Sequence, residues 1–142
     1  MFCRRLGDGD AFFVQDVLGL NEDPSLVTPV VVDHDFKMKA FTGKCEDLIL
    51  RIRSAYEKLG QDKDVMIVSG SGSMFSGKYC NVDGISVVRA LGIKSIIIDR
   101  YVKEFNYDYF MAMKEALGEQ LAGVLLNDIR RQIGRASCRE RV

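Results

Sequence analysis

The sequence predicts an α/β protein built on a parallel sheet. Short continuous apolar runs, typical of strands buried on both faces, occur at Val65–Val68, Ser95–Ile98 and Ala122–Leu126. Helical patterns alternate with these runs along the chain. Such alternation favours parallel strands joined by right-handed crossovers, and therefore a three-layer fold with helices on both faces of the sheet.

The helices are predicted from the spacing of their apolar residues and from their end signals. The predicted helices cover residues 11–18, 47–59, 85–91 and 107–117. Gly19, Gly92 and Gly118 follow the first, third and fourth of these helices, where a glycine ends a helix without steric cost. The segment Thr28–Val32 contains Pro29 and is predicted to be extended or a loop.

Composition bounds the class of protein. The chain has 142 residues, 47% of them hydrophobic and 28% charged, which suits one globular domain with its own core. Lys and Arg number 20 and Asp and Glu number 20, a balance that argues against a nucleic-acid binder. No apolar run approaches ~18 residues, so no membrane span is expected.

Cysteine usage and the start of the chain predict the compartment. Cys3, Cys45, Cys80 and Cys138 show no CxxC spacing, so neither a disulfide scaffold nor a zinc knuckle is expected. The chain does not start with a basic and then apolar leader. A reducing, cytoplasmic location is the resulting prediction.

The two ends of the chain are expected not to be natural termini. Residues 133–142, IGRASCRERV, match the translation of a widely used sequencing-library adapter and are predicted to be a non-native tail. The alternative is a natural basic tail. On the first interpretation, residues 1–132 form the natural part of a longer protein, which is expected to extend in both directions.

The segment Gly72–Lys78 matches the GxxxxGK pattern of phosphate-binding loops and follows a predicted strand. In such loops, backbone N–H groups and the lysine hold phosphate oxygens. Tyr79 stands where a Ser or Thr hydroxyl would meet magnesium, and the next helix is predicted to begin only near residues 81–83. A flexible Gly/Ser loop over a neighbouring site is the favoured interpretation.

Other side chains allow two interpretations each. The cluster Asp33-His34-Asp35 suits a metal site, but a loop histidine between solvated acids is commoner. Cys80 is either a nucleophile or a buried thiol, and the chain offers no second histidine as its base. Asp10 is well placed to cap the first helix.

Four segments together resemble a known family. Asp10-Ala11, TPVV from Thr28, VMIVSGSGS from Val65 and AGVLLNDI from Ala122 occur in the order and spacing of the dethiobiotin-synthetase-like P-loop family. The resemblance spans residues 8–130 and is closest to the N-terminal domain of some phosphotransacetylases and of proteins that carry a DRTGG domain. It implies a parallel three-layer fold, P-loop NTPase-like, that binds ATP with Mg²⁺.

The resemblance also implies site residues. Asp10 corresponds to a magnesium ligand, and Asn127 corresponds to the residue that recognises the edge of adenine, a task that suits an amide with its donor and acceptor in one plane. The candidate nucleotide-binding residues are Asn127, Ser69, Gly70, Gly72 and Lys78.

Two departures from the family bear on activity. The family's Walker A loop corresponds to sequence before Met1, so residues 1–132 are predicted to be a partial nucleotide-binding domain. Ser69 stands where the synthetase has a glutamate near magnesium, and a hydroxyl brings no negative charge to hold the ion. Catalysis is therefore less expected than binding, and no catalytic residue is assigned.

The predicted function is part of an ATP-binding regulatory or nucleotide-sensing domain of a larger cytoplasmic protein. One alternative is an ATP-dependent ligase of the dethiobiotin or cobyrinate diamide synthase type. Another is an interaction module that keeps the fold and has lost the nucleotide site. A nucleotide is the expected partner, and a following regulatory or catalytic domain and self-association are left open.

Overall fold

A computed structural model describes residues 9–42, 47–70, 73–101 and 107–129. The chain divides into two compact units, Met1–Leu91 and Gly92–Val142, called here the N-terminal and the C-terminal unit. The described residues combine helices with a small two-stranded parallel sheet. The predicted non-native tail, residues 133–142, lies outside the described residues.

The described part of the N-terminal unit is helical. Its helices are α1 (Gly9–Leu18), α2 (Pro24–Val27), α3 (His34–Phe41), α4 (Leu48–Gly60) and α5 (Gly84–Leu91), with a 3₁₀ turn at Lys78–Cys80. Helix α4 contacts both α2 and α5. Leu48 and Ala55 of α4 and Ile85 and Val88 of α5 are buried, so α4 and α5 supply much of the core.

The helix ends follow from local sequence. The N–H groups of Gly19 and Leu20 donate to the carbonyls of Asp16 and Gln15 at 3.2 and 2.8 Å, and Gly19 has a φ of +63°, a conformation that costs glycine little. Asp47 caps α4 by accepting from the N–H of Leu50 at 3.2 Å. The predicted helices at 11–18 and 47–59 are confirmed.

The C-terminal unit contains a βαβ arrangement. Strand β1 (Ser95–Arg100), helix α6 (Tyr107–Leu117) and strand β2 (Leu121–Asn127) follow one another, and the strands pair in parallel. Met113 and Leu117 of α6 and Ile97 of β1 are buried. The two predicted strands, the helix between them and their parallel pairing are confirmed.

The other face of this sheet is open. Ile96, Ile98 and Leu125 are exposed, Ile98 to 67%. Cover on both sheet faces was expected, and Leu125 in particular was expected to be buried. The expectation is wrong for Leu125, because helix α6 packs against the opposite face of the sheet, where Ile97 is buried.

The predicted strand Val65–Val68 is wrong. The structure assigns no strand to this segment, and Val65 and Ile67 are 76% and 89% exposed. A strand needs a neighbouring strand for its backbone hydrogen bonds, and among the described residues β1 and β2 pair only with each other. An apolar run shows that its side chains favour burial, but it does not specify a neighbouring strand to pair with.

Helix α3 was not predicted. Its N-cap is Asp33, whose carboxylate accepts from the N–H of Phe36 at 2.7 Å. The polar residues Asp33-His34-Asp35 therefore mark the start of a helix rather than a loop. None of the described helices has the length and apolar character needed to cross a membrane.

Candidate functional site

The carboxyl ends of β1 and β2 bring polar residues together at one edge of the sheet. Arg100 and Asn127 are register partners in the last pair of the ladder. The main-chain carbonyl of Asn127 accepts from the N–H of Tyr101 at 2.8 Å, and its side-chain Oδ1 accepts from the N–H of Asp128, also at 2.8 Å. The edge of a parallel sheet at its carboxyl ends is where ligands of open α/β folds bind.

The Asn127 amide keeps most of its hydrogen-bonding capacity. Its Nδ2 has no hydrogen-bond partner among the described residues, and its Oδ1 retains a second lone pair. The side chain is exposed. A ligand placed at this edge would meet both a donor and an acceptor.

Asp99 lies on the opposite face of the sheet, toward α6. Its carboxylate accepts from the N–H of Arg100 at 2.7 Å. Burial, and next the negative charge of Asp99, raise the pKa of the Tyr109 hydroxyl on α6. Since successive strand residues face opposite sides, Asp99 faces α6 while Arg100 faces the open side with Asn127.

The other predicted site residues belong to the N-terminal unit. Asp10 is the second residue of α1 and is exposed. Ser69 and Gly70 are exposed in an irregular segment. Gly72 lies outside the described residues. The prediction that Asp10, Ser69 and Asn127 share one cleft stays a prediction.

The described residues offer no metal centre. No group of three or more His, Cys, Asp or Glu residues within ranges 9–42, 47–70, 73–101 and 107–129 is placed to hold an ion. In the cluster first considered as a metal site, Asp33 instead caps α3. The prediction that Asp10 binds magnesium stays a prediction.

The described part of the GxxxxGK segment closes on itself. The N–H groups of Ser76 and Lys78 donate to the carbonyls of Ser73 and Phe75 at 3.0 and 3.1 Å. The N–H of Phe75 donates to the Ser73 hydroxyl at 3.2 Å. In a phosphate cradle such N–H groups point at the ligand, whereas here they bond within the loop.

Lys78 and Asp83 form an ion pair that sequence analysis did not anticipate. The Lys78 Nζ lies 3.4 Å from Oδ2 of Asp83, whose side chain is fully buried. Asp83 also accepts from the N–H and the hydroxyl of Ser86, at 3.2 and 2.6 Å. The ammonium of Lys78 thus already has an anionic partner within the chain.

The ionisation of Asp83 reflects this environment. Burial disfavours the carboxylate, but the hydrogen bonds from Ser86 and the charge of Lys78 outweigh it and hold the pKa of Asp83 below its ordinary value. The sequence signal was an Asp before an apolar helical run with Ser three residues later, a helix N-cap pattern. The prediction that this helix begins several residues after Lys78, near residues 81–83, is confirmed by α5, which begins at Gly84.

Gly77 lets the loop turn back tightly. Its φ is +89°, and a Cβ built on it would lie 2.9 Å from Cγ2 of Val82. A side chain at this position would therefore meet both an unfavourable backbone conformation and a steric clash. The tight turn therefore explains the second glycine of the GxxxxGK pattern without phosphate binding.

Cys80 is buried and forms a disulfide. The expectation of unbridged cysteines is wrong at this position, and Cys80 is not available as a nucleophile while it is bridged. The other cysteines of the chain lie outside the described residues. The cytoplasmic location stays a prediction.

Comparison with known proteins adds no assignment. No family model matches the chain. No solved structure matches it at a significant level.

Proposed function

We propose that the chain is part of an ATP-binding regulatory or nucleotide-sensing domain of a larger protein, similar to the N-terminal domain of some phosphotransacetylases. The observation that carries the proposal is the position of Asn127. It ends the second strand of a parallel βαβ unit and presents an amide with an unused donor. That is the edge at which ligands bind in open α/β sheets.

The proposed fold of the complete domain is a three-layer parallel sheet of the P-loop type. The parallel pairing of β1 and β2 around α6 supports this proposal, whereas the open face of the sheet does not. Ile96, Ile98 and Leu125 expose apolar side chains there, and parallel sheets are normally covered on both faces. A second helical layer would remove these side chains from water, at about 25 cal/mol per Å² of apolar surface.

The residues differ in the roles proposed for them. Asn127 would accept from the exocyclic amine of adenine and donate to a ring nitrogen. Ser69 and Gly70 would lie near the phosphates, as the resemblance implies. Lys78 would contribute only after separation from Asp83, so the proposal does not depend on it. Asp10 would bind the magnesium ion that accompanies ATP, as the resemblance implies, through one carboxylate together with water and phosphate oxygens.

The proposed role is binding rather than turnover. In the dethiobiotin synthetase that the sequence resembles, a glutamate stands at the position of Ser69. Without that carboxylate, the site has one fewer anionic group to hold a metal ion on the phosphates. The ligase alternative requires turnover, and the interaction-module alternative requires that no nucleotide binds.

The test is an NMR titration of the isotope-labelled chain with ATP, with and without Mg²⁺, because amide shifts detect millimolar binding. We expect weak binding, with the largest shifts near Asn127. Asn127→Ala should abolish these shifts, whereas Asn21→Ala, an exposed asparagine of the N-terminal unit, should leave them unchanged. Absence of shifts up to several millimolar ATP would favour the interaction module, and hydrolysis of ATP would favour the ligase.

A further inference from the structure

We propose that Arg100 is a second ligand-binding residue of this site, with its guanidinium against the nucleobase that Asn127 recognises. This inference rests on the proposed function and adds to it a residue that determines affinity for the base.

The register of the sheet places the two residues side by side. Arg100 and Asn127 are paired in the parallel ladder, as are Ile98 and Leu125 two residues earlier. Paired residues on neighbouring parallel strands project to the same face, and the strands lie about 5 Å apart. One exposed face therefore ends in a cation and an amide, with two apolar side chains directly before them.

The side chain of Arg100 makes no polar contact with the described residues. Its main-chain N–H donates to the Asp99 carboxylate, but its guanidinium has no hydrogen bond or ion pair with the described residues. By contrast, Arg53 donates from its guanidinium to the carbonyl of Ala90 at 2.7 Å, at the end of α5. Asp99 faces the opposite side of the sheet and so leaves the charge of Arg100 exposed.

The chemistry of the guanidinium suits a planar heterocycle. It is a flat, delocalised cation that stacks on aromatic faces, and base–guanidinium stacking is a common form of nucleotide recognition. Because its register partner Asn127 is the residue proposed to recognise the base edge, the part of the ligand nearest Arg100 is the base and not the phosphates.

The test compares adenosine, which carries no phosphate, with ATP in NMR titrations of the full chain. Arg100→Ala should weaken binding of both ligands by about two- to fivefold, the range expected for an exposed cation–π contact. Arg100→Lys should recover ATP binding more than adenosine binding, because it keeps the charge and loses the plane. Arg51→Ala, which removes an exposed arginine from α4, should change neither affinity.

The outcomes separate this inference from the proposed function. If Asn127→Ala weakens adenosine binding and Arg100→Ala does not, the inference fails and the proposed function stands. A loss confined to ATP also overturns it, since Arg100 would then contact phosphate. If the wild-type chain binds neither ligand, both fail. Arg100 is exposed, so its variants should fold, which matching far-UV circular dichroism spectra would verify.

Discussion

Replacement of Asp83 by alanine should be one of the most destabilising single changes at a charged residue of the described chain. The carboxylate is fully buried, caps α5 through the N–H of Ser86, accepts from the Ser86 hydroxyl at 2.6 Å and pairs with Lys78 at 3.4 Å. All three contacts are lost in Asp83→Ala, and the Ser86 hydroxyl is left without its acceptor.

The magnitude follows from the separate contacts. Loss of a helix N-cap costs about 1 kcal/mol. Loss of the hydroxyl bond costs about 0.5–1.5 kcal/mol. The Lys78 contact adds little, since an exposed ammonium regains water and such pairs contribute about 0–1 kcal/mol. The expected decrease in the free energy of unfolding is therefore about 2 kcal/mol. Asp83→Asn keeps an acceptor for the cap and should lose about half as much.

Urea unfolding followed by far-UV circular dichroism measures these differences. Asp64→Ala is the matched control, because Asp64 is exposed and makes none of these contacts, and a change of at most about 0.5 kcal/mol is expected for it. If Asp83→Ala proves no more destabilising than Asp64→Ala, then the carboxylate does not hold the loop, and the account of the GxxxxGK segment as a structural turn is refuted.

Four further outcomes are expected. Folding lowers the pKa of Asp83, so its ionised form stabilises the protein above the ordinary aspartate pKa of 3.8. The stability advantage of wild type over Asp83→Asn should therefore shrink as the pH falls below that value. Urea midpoints measured between about pH 6 and 3 test this, and an advantage that grows toward low pH would contradict it. Met113→Ala should cost about 2–5 kcal/mol, because Met113 is only 1% exposed, whereas Met111→Ala, on the exposed side of α6, should cost little in the same urea assay. Gly77→Ala should lower the thermal midpoint more than Gly19→Ala. Both glycines have positive φ, but a Cβ on Gly77 would clash with Val82, whereas a Cβ on Gly19 meets no atom within 4 Å. Equal thermal midpoints for the two variants would contradict the steric argument. Lys78→Ala should bind ATP in the NMR titration with an affinity within twofold of wild type, because Lys78 is paired with Asp83. Loss of ATP binding in this variant would instead indicate that Gly72–Lys78 is a phosphate-binding loop.

The residue types at the carboxyl edge could be identified from sequence, but their arrangement could not. Asn127 follows an apolar run and was predicted as a site residue for that reason and from the family resemblance. Residues 99–103 were expected at this edge, but Arg100 was not singled out, because its place beside Asn127 depends on a register that pairs residues 27 positions apart along the chain. Register is set by side chains that meet only after folding. Asp83 was likewise read only as part of a helix start, since a helix N-cap pattern does not reveal burial or a lysine partner.

The sequence by itself determined the helices and their ends, because the interactions that form them act between residues close together in the chain. The apolar spacing of α4, α5 and α6, the caps Asp47 and Asp83 and the glycines that follow helices act within a few residues, so these elements could be read directly. The tertiary structure decided the rest. Val65–Val68 is as apolar as Ile96–Ile98 of β1 and yet forms no strand, because a ladder depends on a partner that composition cannot supply. Likewise, the ion pair of Lys78 depends on the buried carboxylate of Asp83, five residues later. Only the closed loop between the two residues fixes the position of that carboxylate relative to the ammonium.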